Sequence, residues 1–358
     1  MSIQAFLQTL QPSLTAAAEK LQALRKEDSF TFLAFSDLHM RTVEEDSVQK
    51  LLAALVAADQ AISPDAVINL GDNPNMLGRE IHISNEELAF RLTQLFDSMQ
   101  ASVRCPMLFI HGNHDAPGTD FFDPDFWNAL TKDRYGHTEA VYDTEGSYCY
   151  WDLPRCNTRL VALSLPCGSD LEAEMPTPLW GFGNRQLQWL ASRALDTPNQ
   201  VILLVHVPLF YDYHGDRTST LGVWTGHRAA VSLIKDLCGE IADRDTAMDI
   251  LNAFHRHEAY DRGDLGIHLK PSPETAGLAA CFSGHNHTDS FWTPGQATEK
   301  YTNRLLCHQV VTHAATFSYT QWEPVCGLAI DAVVWTPSEG QFHIFRIGDG
   351  ENRHFSIK

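Results

Sequence analysis

Side chains of the types that bind metal ions stand directly after five apolar runs of the sequence. Histidine nitrogen combined with carboxylate and amide oxygen suits borderline divalent ions such as Zn²⁺, Mn²⁺ and Fe²⁺. The set exceeds the four ligands of one tetrahedral ion, so it predicts two ions that share a bridging carboxylate. The seven candidate ligands are Asp37, His39, Asp72, Asn113, His206, His285 and His287.

The apolar runs that precede these side chains have the length and composition of β-strands. They alternate with stripes of helical spacing at 48–56, 88–99 and 187–195, which predicts an α/β fold. In such folds ligands gather beyond the carboxyl ends of the strands, so we expect the candidate ligands to share one edge. The predicted strands are 30–36, 66–71, 107–112, 160–165, 201–205 and 279–284, and shorter ones follow at 305–312, 327–334 and 342–347.

The amino-terminal residues form a separate helical segment in the sequence pattern. Apolar side chains recur at steps of three and four from Ile3 to Leu24, and Pro12 predicts either two short helices or one kinked helix. The apolar stripe can pack on the protein's own body or form an oligomer contact, and both alternatives stay open. The division predicted is a helical segment at 1–28 and a single domain at 29–358.

Residues 211–275 interrupt the strand pattern with polar sequence. We predict that they form an inserted, cap-like segment over the site. His214 and Arg217 lie in it and could line a substrate pocket, since a guanidinium group matches phosphate oxygens. The alternative for both residues is a solvated loop.

Charge and composition restrict the partners and the compartment. The formal net charge is −19 and no Lys/Arg run reverses it locally, which disfavours duplex nucleic acid. No run of about 18 apolar residues is present, so we expect no membrane span. The sequence shows no secretory signal and its 8 cysteines form no C-x-x-C pair, so we expect reduced thiols and a cytoplasmic protein.

Five short blocks carry a resemblance to a known family. The blocks D-x-H, G-D, G-N-H-D, H and G-H-x-H occur in that order between about residues 30 and 290. They resemble the calcineurin-like metallophosphoesterase superfamily, whose fold is a central β-sandwich flanked by helices, a four-layer α/β/β/α arrangement. The segment LWGFGNRQLQWLASRAL resembles small-molecule phosphodiesterase members, and the ending FRIGDGENR resembles bacterial and phage-type members.

The resemblance implies a role for each block. Asp37, His39 and His287 match the ligands of the first ion; Asn113, His206 and His285 match those of the second; Asp72 matches the bridging carboxylate; His114 matches the residue that protonates the leaving oxygen, and Asp115 its neighbouring acid. The implied activity is hydrolysis of a phosphate ester by hydroxide that two divalent ions (Mn, Fe or Zn) activate.

The sequence also departs from the family pattern. Many members read G-D-x-x-D, whereas here Asn75 occupies the last position. The Arg and Glu of the protein Ser/Thr phosphatase branch are missing from these blocks, which disfavours that branch. We expect a small-molecule phosphodiesterase, with a phosphomonoesterase as the alternative. A nuclease and a non-catalytic metal-binding scaffold are the alternatives of other classes.

Overall fold

The structure is a computed structural model. It describes residues 1–40, 42–74, 85–112, 115, 130, 139–143, 147–164, 182–209, 211–212, 244–287, 289–298, 301–315 and 328–357. Within these ranges the helices are α1 (Ile3–Leu24), α2 (Asp46–Ile62), α3 (Asn85–Ala101), α4 (Gly183–Trp189) and α5 (Arg244–His255). A π-helical turn, Leu190–Ala194, extends α4.

Each of the six longer strand predictions coincides with a strand of the structure. These six strands all end earlier than predicted, which leaves the ligand-bearing residues in loops. The described residues also form strands that the sequence did not predict. The strands are β1 (Phe30–Phe35), β2 (Ala66–Asn69), β3 (Met107–Phe109), β4 (Val141–Tyr142), β5 (Cys149–Leu153), β6 (Thr158–Ala162), β7 (Gln200–Leu204), β8 (Tyr211–Asp212), β9 (Tyr260–Arg262), β10 (Ile267–Leu269), β11 (Leu278–Ser283), β12 (Ser290–Trp292), β13 (Tyr301–Thr302), β14 (His308–Val311), β15 (Ala329–Thr336), β16 (Gln341–Gly348) and β17 (Arg353–Ser356).

The first large sheet has the strand order β17-β16-β15-β1-β2-β3. Strands β1, β2 and β3 are parallel, while β15 pairs with β1 in the antiparallel sense. Phe35 pairs with Asn69, and Asn69 pairs with Phe109, so the three parallel strands end level with one another. The loops after β1, β2 and β3 therefore start at one edge of this sheet.

The second large sheet has the order β12-β14-β11-β7-β6-β5-β4. Strands β6, β7, β11 and β14 are parallel, and Leu204 at the end of β7 pairs with Phe282 near the end of β11. Two small antiparallel pairs, β9 with β10 and β8 with β13, complete the described strands.

Three apolar cores separate the layers and confirm the four-layer α/β/β/α arrangement. Side chains from both sheets, such as Phe32 of β1 and Phe282 of β11, form the middle core. Helices α1, α2 and α3 cover the outer face of the first sheet, and α4 and α5 cover that of the second. Because each sheet is covered on both faces, β1, β2 and β11 are buried along their whole length rather than alternately.

Helix α1 packs on the protein's own body. It is continuous through Pro12, so the prediction of two short helices is wrong. Its apolar side chains contact α2 and the strands β15 and β16, which confirms that the stripe belongs to the protein's own core. An oligomer through this segment stays a prediction. The buried side chains of α1 are Phe6, Leu10, Leu14, Ala17 and Leu21.

The second half of the predicted insertion belongs to the outer helical layer. Helix α5 packs on β11 and β9, and its side chains enter the core outside the second sheet. The His255 ring accepts a hydrogen bond from the Leu278 N–H at 3.2 Å, at the end of β11 opposite to the ligand-bearing loop. The cap-like segment stays a prediction for residues 213–243, which lie outside the described residues. None of the described helices is long and apolar enough to cross a membrane.

We predict that replacing Phe32 by alanine destabilises the protein by about 3–5 kcal/mol, since it leaves a cavity between the sheets. Phe32 is fully buried and meets the Phe282 ring edge-on at a centroid distance of 5.3 Å. The matched control is F90A, because Phe90 is 57% exposed and its loss should cost at most about 0.5 kcal/mol. Urea denaturation measures both; equal losses would contradict the two-sheet core.

Candidate metal centre

The candidate centre lies where the carboxyl ends of β1, β2, β7 and β11 meet across the two sheets. Six of the seven predicted ligands are described, and they form two groups of three in which the ligand atoms lie within 4.8 Å of one another. Asn113 lies outside the described residues. The groups are Asp37 with His39 and His287, and Asp72 with His206 and His285.

The first group joins the loop after β1 to the loop after β11. The Nε2 atoms of His39 and His287 are 2.8 Å apart. Asp37 Oδ1 lies 3.2 Å from His287 Nε2 and 3.7 Å from His39 Nε2. Three ligand atoms from two distant loops of the chain thus converge on one point, with the spacing that a single ion can fill.

The second group joins the loop after β2 to the loops after β7 and β11. His206 Nε2 lies 3.1 Å from Asp72 Oδ2. The same Asp72 oxygen is 3.9 Å from His39 Nε2 of the first group, and Asp37 Oδ1 is 3.9 Å from His206 Nε2. Both carboxylates therefore lie between the groups, where a residue shared by two ions must be.

The hydrogen bonds of these side chains leave ligand atoms for a cation. The Nδ1–H of His206 donates to the Leu70 carbonyl oxygen at 2.8 Å, so the neutral ring presents the lone pair of Nε2 to the centre. Within the described part of the chain, His206 Nε2 and Asp37 Oδ1 are buried and make no hydrogen bond. Buried lone pairs that face one another are unfavourable unless a proton or a metal cation lies between them. The residues present therefore fit divalent ions.

The electrostatics of the metal-free protein show how strongly this pocket favours positive charge. Burial lowers the pKa of His206, but the carboxylates of Asp72 and Asp37 outweigh it and raise that pKa to about 9. Burial raises the pKa of Asp37, yet His287, His39 and His206 together hold it well below its usual range. Without metal, the pocket binds protons in place of divalent metal ions.

The backbone around the centre is strained in a consistent way. Five of the six described ligands have a positive φ, although none of them is glycine; their values are Asp37 59°, His39 47°, Asp72 56°, His285 71° and His287 55°. Such conformations are uncommon outside glycine and occur more often in Asp and His than in other residues. They turn each loop back toward the centre directly after its strand.

Two glycines allow the loops to approach one another closely. A Cβ atom on Gly112 would lie 2.5 Å from the backbone nitrogen of Asp72. A Cβ atom on Gly284 would lie 2.6 Å from Asp37 Oδ2, an oxygen that accepts a hydrogen bond from the His285 N–H at 2.9 Å. The glycines of the G-N-H-D and G-H-x-H blocks are therefore required by the space beside the two carboxylates.

Asp115 ties two of the ligand loops together, which the sequence did not predict. Its carboxylate accepts hydrogen bonds from the backbone N–H groups of Gly112 at 2.7 Å, Asp72 at 2.8 Å and Asn73 at 2.9 Å. Burial and the nearby charge of Asp72 raise the pKa of Asp115 to about 7. The signal available in the sequence was the acid that closes the G-N-H-D block. Its predicted role beside His114 stays a prediction.

The remaining predicted residues are not part of the described centre. His114, His214 and Arg217 lie outside the described residues, as does Asn75. His111, two positions after the end of β3, is buried, and its Nδ1 lies 2.6 Å from Ser164 Oγ.

Comparison with known proteins agrees with this geometry. Residues 30–289 match the calcineurin-like phosphoesterases, a range that contains all the blocks with candidate ligands. The chain belongs to this family. It is therefore a metal-dependent phosphoesterase, and the metal-dependent hydrolysis of a phosphate ester is its activity.

A solved structure similar to this phosphoesterase shares its fold at low sequence identity. A dimetal phosphatase from Danio rerio aligns with 92% of this chain and 99% of its own at 12% identity, with a TM-score of 0.58. The structure of PhoD aligns with 93% of this chain and 69% of its own at 11% identity, with a TM-score of 0.47. A search of the curated proteins finds no match. At 12% identity the likeness to the Danio rerio phosphatase concerns the fold.

We predict that H206A weakens the binding of Mn²⁺ at one of two sites by at least about 100-fold, more than a residue that only orients a ligand would cost. Isothermal titration of the metal-stripped protein measures the two affinities. The matched control is H268A, because His268 is exposed and pairs with Asp261 in the β9–β10 hairpin. Two unchanged sites in H206A would exclude His206 as a ligand.

We further predict that metal binding releases protons at neutral pH. His206 is protonated below its metal-free pKa of about 9, while an ion needs the lone pair of its Nε2. Affinity should rise from pH 7 toward that pKa, by up to about tenfold per pH unit for each proton displaced. Titrations in two buffers of different ionisation enthalpy count the protons, and a release of none would contradict the raised pKa.

Proposed function

We propose that this phosphoesterase hydrolyses a small phosphodiester, such as a cyclic nucleotide or a nucleotide-derived ester, at a centre of two divalent ions. The observation that carries the proposal is the pair of opposed ligand groups with the Asp37 and Asp72 carboxylates between them. Asn113 completes the ligand set of the second ion. When bound, the two ions supply an activated water and neutralise the charge that develops on the phosphoryl oxygens.

The protein's own residues orient the reaction. The carbonyl of Leu70 fixes the ring of His206, and the N–H of His285 fixes one oxygen of Asp37, so ligands on both sheets keep their direction. Gly112 and Asp115 stand on either side of the Asn113-His114 pair in the sequence, and both are tied to the loop of Asp72 by the Asp115 carboxylate. The position of His114 in the G-N-H-D block supports it as the acid that gives a proton to the leaving oxygen, with Asp115 next to it in the sequence.

Charge favours a diester over a monoester. A diester brings one negative charge to the protein, whereas a monoester at neutral pH brings nearly two. The net charge of −19 repels a doubly charged monoester more strongly than a singly charged diester. Among the described residues, the ion pairs of Asp37 are all to histidine. A phosphomonoesterase is the alternative at the same centre.

The substrate class is tested with bis-p-nitrophenyl phosphate and p-nitrophenyl phosphate under saturating Mn²⁺. We expect a higher kcat/KM on the diester. A higher value on the monoester would establish the alternative. No turnover of either compound by metal-loaded protein would favour the non-catalytic scaffold, and cleavage of single-stranded or duplex DNA in preference to both would favour a nuclease.

The acid role of His114 predicts a dependence on the leaving group. H114A should lose about 10²–10⁴-fold in kcat on a diester with an alkyl leaving group, such as a 2′,3′-cyclic nucleotide, because that oxygen must be protonated. The loss should be much smaller on bis-p-nitrophenyl phosphate, whose leaving group departs as a stable anion. H268A should retain full activity on both. An equal loss on both esters would show that His114 binds substrate instead of donating a proton.

A further inference from the structure

The ending FRIGDGENR lies outside the residues that match the family, yet it contacts Asp289, close in the sequence to a candidate metal ligand. Its two arginines, Arg346 on β16 and Arg353 on β17, form a cluster with Asp331 of β15 and Asp289. Asp289 stands two positions after the candidate ligand His287. We call these four residues the Asp289 clamp. Its two positive and two negative charges balance.

Arg346 is the centre of the clamp. Its side chain is 1% exposed, and all three guanidinium nitrogens donate hydrogen bonds. Nε donates to Asp331 Oδ1 at 2.9 Å, Nη2 to Asp289 Oδ1 at 2.5 Å, and Nη1 to the carbonyl of Asp349 at 2.8 Å. The planar fork thus fixes two carboxylates relative to each other, which a flexible ammonium group cannot do.

Asp289 is held from a second direction as well. Its Oδ2 atom lies 2.6 Å from Arg353 Nη2 and accepts a hydrogen bond from the Glu351 N–H at 3.3 Å. Gly350 has a φ of +119°, and a Cβ there would lie 2.7 Å from Asp289 Oδ2. The turn between β16 and β17 is therefore shaped to receive this carboxylate.

The opposite end of the clamp meets the strand that carries the ligand loop. Asp331 Oδ2 accepts a hydrogen bond from Thr312 Oγ1 at 3.0 Å, and the Thr312 N–H donates to the carbonyl of Ser283 at 2.8 Å. Ser283 is the last residue of β11. The loop with His285 and His287 is thus held before its first ligand by Ser283 and after its second by Asp289.

We propose that Arg346 is a positioning residue for the metal centre, which holds Asp289 so that His287 reaches Asp37 and His39. The positive φ values of His285 and His287 need such external support, because strained loops persist only where their surroundings fix them. Buried ion pairs add little net stability, so a clamp of this kind acts through geometry. The inference rests on the metal centre of the proposed function.

The test is R346K, with Mn²⁺ titrated into the metal-stripped, full-length protein. We expect the affinity of one site to fall about 10–100-fold, the effect typical of residues that orient a ligand. Saturating Mn²⁺ should restore kcat, because Arg346 acts through the ions and not on the substrate.

The matched control is R159K. Arg159 is also buried and forms a fork with Asp152, at 2.7 Å for both contacts, but it lies at the start of β6, away from the ligand loops. R159K should lose stability without losing Mn²⁺ affinity. If both variants weaken Mn²⁺ binding equally, or if R346K binds like the wild type, the inference is overturned.

A second variant keeps the test independent of the folding of R346K. D289N preserves the shape of the side chain and removes its charge, and it should weaken the same site. The double variant R346K/D289N should lose no more affinity for Mn²⁺ than the stronger single variant, because both changes break the same contact between Arg346 and Asp289. Additive losses would overturn the inference. Wild-type protein that binds no Mn²⁺ would overturn the proposed function as well. Failure of the Arg346 inference alone leaves Mn²⁺ binding by the wild type intact, so the two outcomes can be distinguished.

Discussion

Two buried carboxylates that face histidine nitrogens across a small gap are the constraint on which the rest of this structure depends. Asp37 and Asp72 are both at most 1% exposed, and each lies within 4 Å of ligand nitrogens from both halves of the centre. Such an arrangement is costly without positive charge between the groups, because burial removes the water that would otherwise solvate them. The raised pKa of His206 and the lowered pKa of Asp37 express this cost in the metal-free protein, and divalent ions relieve it.

The β-sandwich meets this constraint by ending parallel strands of two sheets at a common edge. Asp37 and Asp72 come from the first sheet, and His206 and His285 from the second, so the middle core fixes the distance between them. The loops then come together over this edge. Ligand residues with positive φ, glycines at close approaches between loops and the Asp115 carboxylate make this possible. In the proposed Asp289 clamp, the carboxyl-terminal strands β16 and β17 also hold a ligand loop in place. The cores thus stabilise the two sheets, while the strained loops position the ligands.

The sequence predicted the six longer strands and singled out six side chains that the structure brings together, because strand patterns and residue types that suit metal ions are local features. It could not show that Asp115 binds three backbone amides, since those contacts depend on how the loops after β2 and β3 meet. It left open two short helices or one kinked helix at Pro12, and the structure shows a single helix that packs against α2 and β16. The sandwich followed only from the family resemblance, because strand alternation alone does not distinguish one sheet from two. Similarly, Arg346 and Asp289 are 57 positions apart, and only the paired strands bring them into contact.

The central claim is that the six described side chains, with Asn113, hold two ions side by side. Anomalous X-ray diffraction from crystals equilibrated with Mn²⁺ tests it most directly, because it locates each ion independently of activity. We expect two peaks about 3.5–4 Å apart, one beside His39 and His287 and one beside His206 and His285, with Asp72 between them. A single peak, or two peaks that do not share a carboxylate, would contradict it.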